Sequence, residues 1–85
     1  MKRITVLHYT GANGTNLKVA RRIARKMLAA QKLGICVLLD FEDVDVSSEF
    51  LAILVSAARA EMARFCGLPI SQQHQVASFQ NKGRS

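Results

Sequence analysis

The chain contains no tryptophan, one tyrosine, one proline and two cysteines in 85 residues. Two cysteines are too few for a disulfide scaffold, and Cys36 and Cys66 lie in apolar stretches that predict buried, reduced thiols. With His8 and His74 they fall at scattered positions, without the short paired spacing a zinc site needs, so no metal site is expected. The acids Asp40 to Asp45 lack the Asp-x-Asx-x-Asx-Gly pattern of a calcium loop. No uncharged apolar run approaches the roughly 18–20 residues that span a bilayer; the longest, Phe50–Ala58, is about half that. Ile4–Leu7 is too short for a signal-peptide core and His8 interrupts it. The expectation is a soluble cytoplasmic protein with no membrane contact.

Acid is also missing where it would neutralise base. Residues 1–34 carry Lys2, Arg3, Lys18, Arg21, Arg22, Arg25, Lys26 and Lys32 and no acid, and all six acids fall between Asp40 and Glu61. The net charge is +6. Such a length allows one small domain, and a hydrophobic fraction of 49% is that of a folded chain.

Lys2–Tyr9 reads as a strand, with Ile4, Val6 and His8 on one side and Thr5, Leu7 and Tyr9 on the other. Residues 10–16 follow as a Gly/Asn loop, in which Thr15 or Asn16 can cap a helix. That helix is predicted from about Leu17 to Lys32, on an apolar stripe of Leu17, Ala20, Ile23, Ala24, Met27 and Leu28. Gly34 supplies its stop. Ile35–Leu39 is an unbroken apolar run, as in a strand buried on both faces of a parallel sheet. Residues 40–46 form an acidic connection, and Ser47 or Ser48 opens a second helix. Phe50, Leu51, Leu54, Ala58, Met62 and Phe65 make one face of it, and Gly67 and Pro69 end it.

The predicted architecture is a small β-α-β-α domain over residues 1–67 with its first two strands parallel. Residues 68–85 form a polar tail, rich in Gln72, Gln73, Gln75, Gln80 and Asn81. Its candidate structures are an extra strand around Val76–Phe79 or a frayed end. Two strands make a very small sheet. That shortfall, and an apolar surface nearly all round Phe50–Ala58, predict self-association as a homo-oligomer unless the tail folds back over it.

In open parallel sheets ligands gather beyond the carboxyl ends of the strands. Here those ends carry residues 9–16 and 40–48, which should lie side by side. The run Val37-Leu38-Leu39-Asp40-Phe41-Glu42-Asp43-Val44-Asp45-Val46-Ser47-Ser48-Glu49-Phe50-Leu51 resembles the strand–loop–helix signature of STAS-like domains, relatives of the sulphate-transporter and anti-sigma-factor-antagonist fold. The likeness covers roughly residues 4–60. It implies a non-enzymatic regulatory module, without cofactor, that binds a protein partner through Asp45, Ser47, Ser48, Glu49, Phe50, Leu51 and Leu54. By the same resemblance Ser47 is the candidate phosphoacceptor. The chain departs from the family pattern at Val46, where antagonists usually have Asp, and at Glu49 and Phe50, where they usually have Gly and Leu. Binding through this surface therefore carries over more directly than phosphorylation.

The alternative rests on charge. Lys18, Arg21, Arg22, Arg25 and Lys26 have no acid within a helical turn, and like charges at i,i+4 each cost a few tenths of a kcal/mol. An anionic partner relieves that repulsion, which makes nucleic acid a candidate. The loop Gly11-Ala12-Asn13-Gly14-Thr15-Asn16 lacks the Gly-Lys-Ser/Thr ending of a phosphate-gripping loop. His8 and Tyr9 have no nucleophile or paired carboxylate fixed beside them by the sequence, so no catalytic residue is assigned.

Overall fold

The structure, a computed structural model, describes the backbone of residues 1–59 and 61–82 and side chains as far as Val76. The elements in chain order are β1 (Lys2–Thr5), α1 (Leu7–Thr10), β2 (Asn13–Gly14), α2 (Leu17–Lys32), β3 (Val37–Asp40), β4 (Asp45–Val46), α3 (Ser48–Ala57), β5 (Ala63–Cys66) and α4 (Ile70–Lys82). β1, β3 and β5 form a parallel sheet with β3 in the middle, and β2 and β4 form a separate two-residue parallel ladder. The predicted parallel pairing of the first two long strands is therefore present, as Lys2 opposite Val37 through Thr5 opposite Asp40.

Cross-strand neighbours share a face of a sheet. Ile4, Leu39 and Phe65 form one inward row, and Val37 and Ala63 continue it. α2 and α3 pack against each other over that face, burying Ile23, Met27, Phe50, Leu51 and Leu54 completely. The alternate residues of the strands, Arg3, Leu38 and Arg64, then Thr5, Asp40 and Cys66, share the opposite face, where Arg3, Arg64 and Cys66 are exposed.

α2 has the predicted limits. Asn16 caps it, its Oδ1 accepting from the Lys18 N–H at 3.0 Å. At the other end Gly34, with φ +77°, lets the Ile35 N–H reach Ala30 O and its own N–H reach Gln31 O, each at 3.0 Å. The buried stripe differs slightly from the expected one. Leu17 and Leu28 are exposed, whereas Ala30 and Gln31 are buried.

Three elements differ from the sequence reading. β1 stops at Thr5 rather than Tyr9, because its partner β3 offers only four residues for pairing. Val6 donates to Asp40 O at 3.0 Å and then turns helical, its own carbonyl accepting from Tyr9 and Thr10. The second helix ends at Ala57, not near Phe65. Gln31 closes it, donating to Ala57 O at 3.0 Å and accepting from the Arg59 N–H at 2.8 Å. The chain freed by that stop supplies a third strand, β5, whose Phe65 ring stacks on Phe41 with centroids 6.0 Å apart. Finally, the expected C-terminal strand at Val76–Phe79 lies inside helix α4. Leu68 and Val76 join the hydrophobic core. The last three positions of the predicted tail lie outside the described residues.

Both cysteines are free, but neither is buried as expected: Cys36 and Cys66 are exposed. Among the described residues no helix is long and apolar enough to cross a membrane.

Candidate functional site

The candidate site is the rim beyond the carboxyl ends of the strands. Its backbone is sewn together by the β2–β4 ladder. Asn13 lies opposite Asp45 and Gly14 opposite Val46; the Asp45 N–H donates to Ala12 O at 2.9 Å and the Ser47 N–H to Gly14 O at 3.0 Å. The sequence reading placed these two loops side by side, and they are hydrogen-bonded neighbours.

This ladder sets the starts of α2 and α3 next to one another. Each start is already capped by its own chain. Asn16 serves α2, and Ser47 Oγ accepts from the Phe50 N–H at 3.1 Å. Ser47 is half-buried, and Ser48 and Glu49 are exposed in the first turn of α3. Glu49 at this end lies in the favourable part of the helix dipole. Asp45, Asp43 and Glu42 are exposed along the same rim. Asp43 adopts φ +63°, a left-handed conformation that Asp tolerates better than most residues.

The apolar half of the predicted contact surface is elsewhere. Phe50, Leu51 and Leu54 are fully buried against α2 and the sheet. They hold the rim up from below and are closed to a partner. Ile53 and Val55, which widen the apolar surface of α3, are only partly buried against the same core.

Asp40 is the buried acid of the site. It ends the central strand, and its carboxylate accepts from the Arg3 guanidinium and, at 2.9 Å, from the Glu42 N–H. The Arg3 hydrogen bond, reinforced by the Glu42 amide, holds the Asp40 carboxyl below the usual carboxylate range. Partial loss of hydration at the sulfur, together with the nearby Asp40 charge, pushes the Cys66 thiol up, although the residue as a whole is exposed. Asp40 is thereby a structural anion that fixes the turn into the acidic loop. From the sequence it is one more acid of the acidic connection 40–46.

Two contacts from α4 had no signal in the sequence. Gln72 donates to Val46 O at 2.6 Å and Gln75 to Ser48 O at 3.3 Å. A helix of glutamines thus braces the rim. Beside it an open depression of about 400 Å³ lies between residues 41–45 and Gly67–Pro69.

The basic residues Lys18, Arg21, Arg22, Arg25 and Lys26 all project from α2 into solvent. Lys26 Nζ lies 5.3 Å from the centroid of the Tyr9 ring. No group of three His, Cys, Asp or Glu residues among the described ones is placed to hold a metal ion. His8 is exposed on α1. No family model matches the chain, and neither curated proteins nor solved structures yielded a match.

Proposed function

We propose that the chain is a non-enzymatic regulatory module, of the type the STAS-like resemblance implies, that binds a protein partner through this rim. The observation that supports it most is the β2–β4 ladder, which turns two separate loops and two helix starts into one continuous surface. Its exposed contact residues are Asn13, Thr15, Asp45, Ser48 and Glu49, with Ser47 at its centre. Rigid backbone placement favours recognition, since little freedom is left to lose on binding. The carboxylates of Glu42, Asp43, Asp45 and Glu49 select a partner that presents cations.

Chemistry at the rim has little to work with. The buried carboxylate is engaged by Arg3 and the Glu42 amide, and both helix starts are occupied by their own caps. Binding is the function that this arrangement supports.

A photo-crosslinking residue at Asp45 or Glu49, expressed in the source cell beside controls at the exposed Ser56 and Arg64, tests the reading. A discrete protein adduct specific to the two rim positions is expected. Adducts that appear equally at all four positions, or only at the controls, overturn it.

A further inference from the structure

We infer that the solvent face of α2 is a second, separate binding surface, and that it takes the phosphodiester backbone of a nucleic acid without reading its sequence. At 3.6 residues per turn, Lys18, Arg21, Arg22, Arg25 and Lys32 fall within an arc of about 100° that also contains Ala29. All five cations are exposed, and so is Ala29, whose small side chain leaves the surface between them flat. Lys18 and Arg25 are about 10 Å apart along the axis, the axial span of about three phosphate-to-phosphate steps on one strand. Lys26 flanks the arc, over the Tyr9 ring.

The fold leaves this charge unspent. The one ion pair among the described residues is Arg3 with Asp40, so no acid reaches any cation of α2. The helix also has no acid in its first turn, where its dipole disfavours Lys18. Isolated, the face repels itself; beside a polyanion the same repulsion becomes attraction.

Two anions could answer it: phosphates, or the acidic rim of a second copy. Their magnitudes differ. Exposed ion pairs between protein side chains gain little against the freedom lost when two folded chains associate. Each neutralised phosphate also releases condensed counterions, and the gain accumulates with every contact. A net charge of +6 further opposes self-pairing and favours a polyanion. Apart from its arginines, which can also pair with guanine edges, the face offers no group for reading bases. It carries no aromatic ring, and Gln31, the one amide side chain of α2, is buried and bonded to Ala57 and Arg59.

The test is fluorescence anisotropy of the full chain with a short labelled duplex DNA and, separately, a single-stranded RNA. Expected is saturable binding with little dependence on sequence. Between about 50 and 200 mM salt, five phosphate contacts weaken it on the order of 500-fold on duplex, with a slope near −4.5. Preference for one of the two probes identifies the source of the backbone. Arg22→Glu with Arg25→Glu should cost more than tenfold in affinity and lower the slope by about 2. Lys2→Glu with Arg64→Glu, the same change in net charge placed off the helix, should leave binding within a few-fold. If the first pair fails to fold, Arg22→Gln with Arg25→Gln replaces it, with the same slope readout. Absence of binding at about 50 mM salt, or equal losses from both pairs, overturns the inference. So does an α2-dependent self-association, or binding to polyglutamate, without binding to either nucleic acid.

Discussion

Gly14 lies so close to Val46 that a Cβ on Gly14 would come within 2.6 Å of Val46 Cγ1. The contact is the join between β2 and β4, and therefore between the two halves of the rim. Gly14→Ala forces the ladder apart or the Val46 side chain aside, at about 1–3 kcal/mol. Val46→Ala removes the obstructing methyl groups. The double variant should therefore be less destabilised than the sum of the two singles. Chemical denaturation of the four proteins of this cycle measures the coupling. Simple additivity would mean that the rim does not depend on this contact.

Gly67 is a stricter case. Its φ is +79°, and a Cβ there would meet the Glu42 backbone nitrogen at 2.6 Å and the Phe41 carbonyl carbon at 3.0 Å. Backbone yields less readily than a valine methyl. Gly67→Ala also carries a left-handed conformation that costs roughly 1–2 kcal/mol in any residue with a Cβ. It should destabilise more than Gly14→Ala, and the midpoint shift in denaturant decides the order.

The acid limb of the stability profile should depend on Asp40. Its pKa is lowered in the folded protein, chiefly by the Arg3 hydrogen bond and then by the Glu42 amide. A depressed carboxyl contributes stability that is fully present above its unfolded pKa and is lost as pH falls through the folded value. Asp40→Asn and Arg3→Ala should both lower stability near neutrality and flatten its fall below about pH 4. Thermal melts across that range give the comparison. An unchanged acid limb in both variants would show that the pair does not govern it.

Gln31 ties α2 to the end of α3 with two hydrogen bonds, one to Ala57 O and one from the Arg59 N–H. Gln31→Leu keeps the volume but leaves both backbone groups without that partner, at about 1–3 kcal/mol. Because the bond closes α3, amide exchange at Ala58 and Arg59 should accelerate more than exchange in the sheet. Uniform acceleration would assign Gln31 a general packing role.

The same glutamine explains part of what the sequence hid. α2, Asn16 as its cap and Gly34 as its stop are legible, because periodicity and end signals agree within one segment. The parallel pairing of β1 with β3 follows from element order. The end of α3 does not. Ala58, Met62 and Ala63 are good helix formers, and the stop comes from a side chain on another helix, 26 residues earlier. β5 is equally silent, since its four residues carry Arg64 and Cys66 on an exposed face. The rim itself was legible in location but not in composition. Its loops are where strand order put them, whereas Phe50, Leu51 and Leu54, taken as contact residues, are buried core. Phe50→Ala should therefore cost about 3–5 kcal/mol of stability, and loss of partner binding in that variant would report unfolding.

Ser47 offers the cleanest separation of cap from switch. Its Oγ accepts from the Phe50 N–H, so Ser47→Ala should cost about 1 kcal/mol. An aspartate is also a good cap, and its charge lies at the favourable end of the helix, so Ser47→Asp should keep nearly all of that stability. The two substitutions thus move stability and charge independently. If the rim binds its cation-presenting partner through this point, Ser47→Asp should raise the yield of the rim-specific crosslinked adduct while melting like the parent. Ser47→Ala should keep the adduct while melting lower. Adduct yield that follows melting temperature in both variants would leave Ser47 as a cap and nothing more.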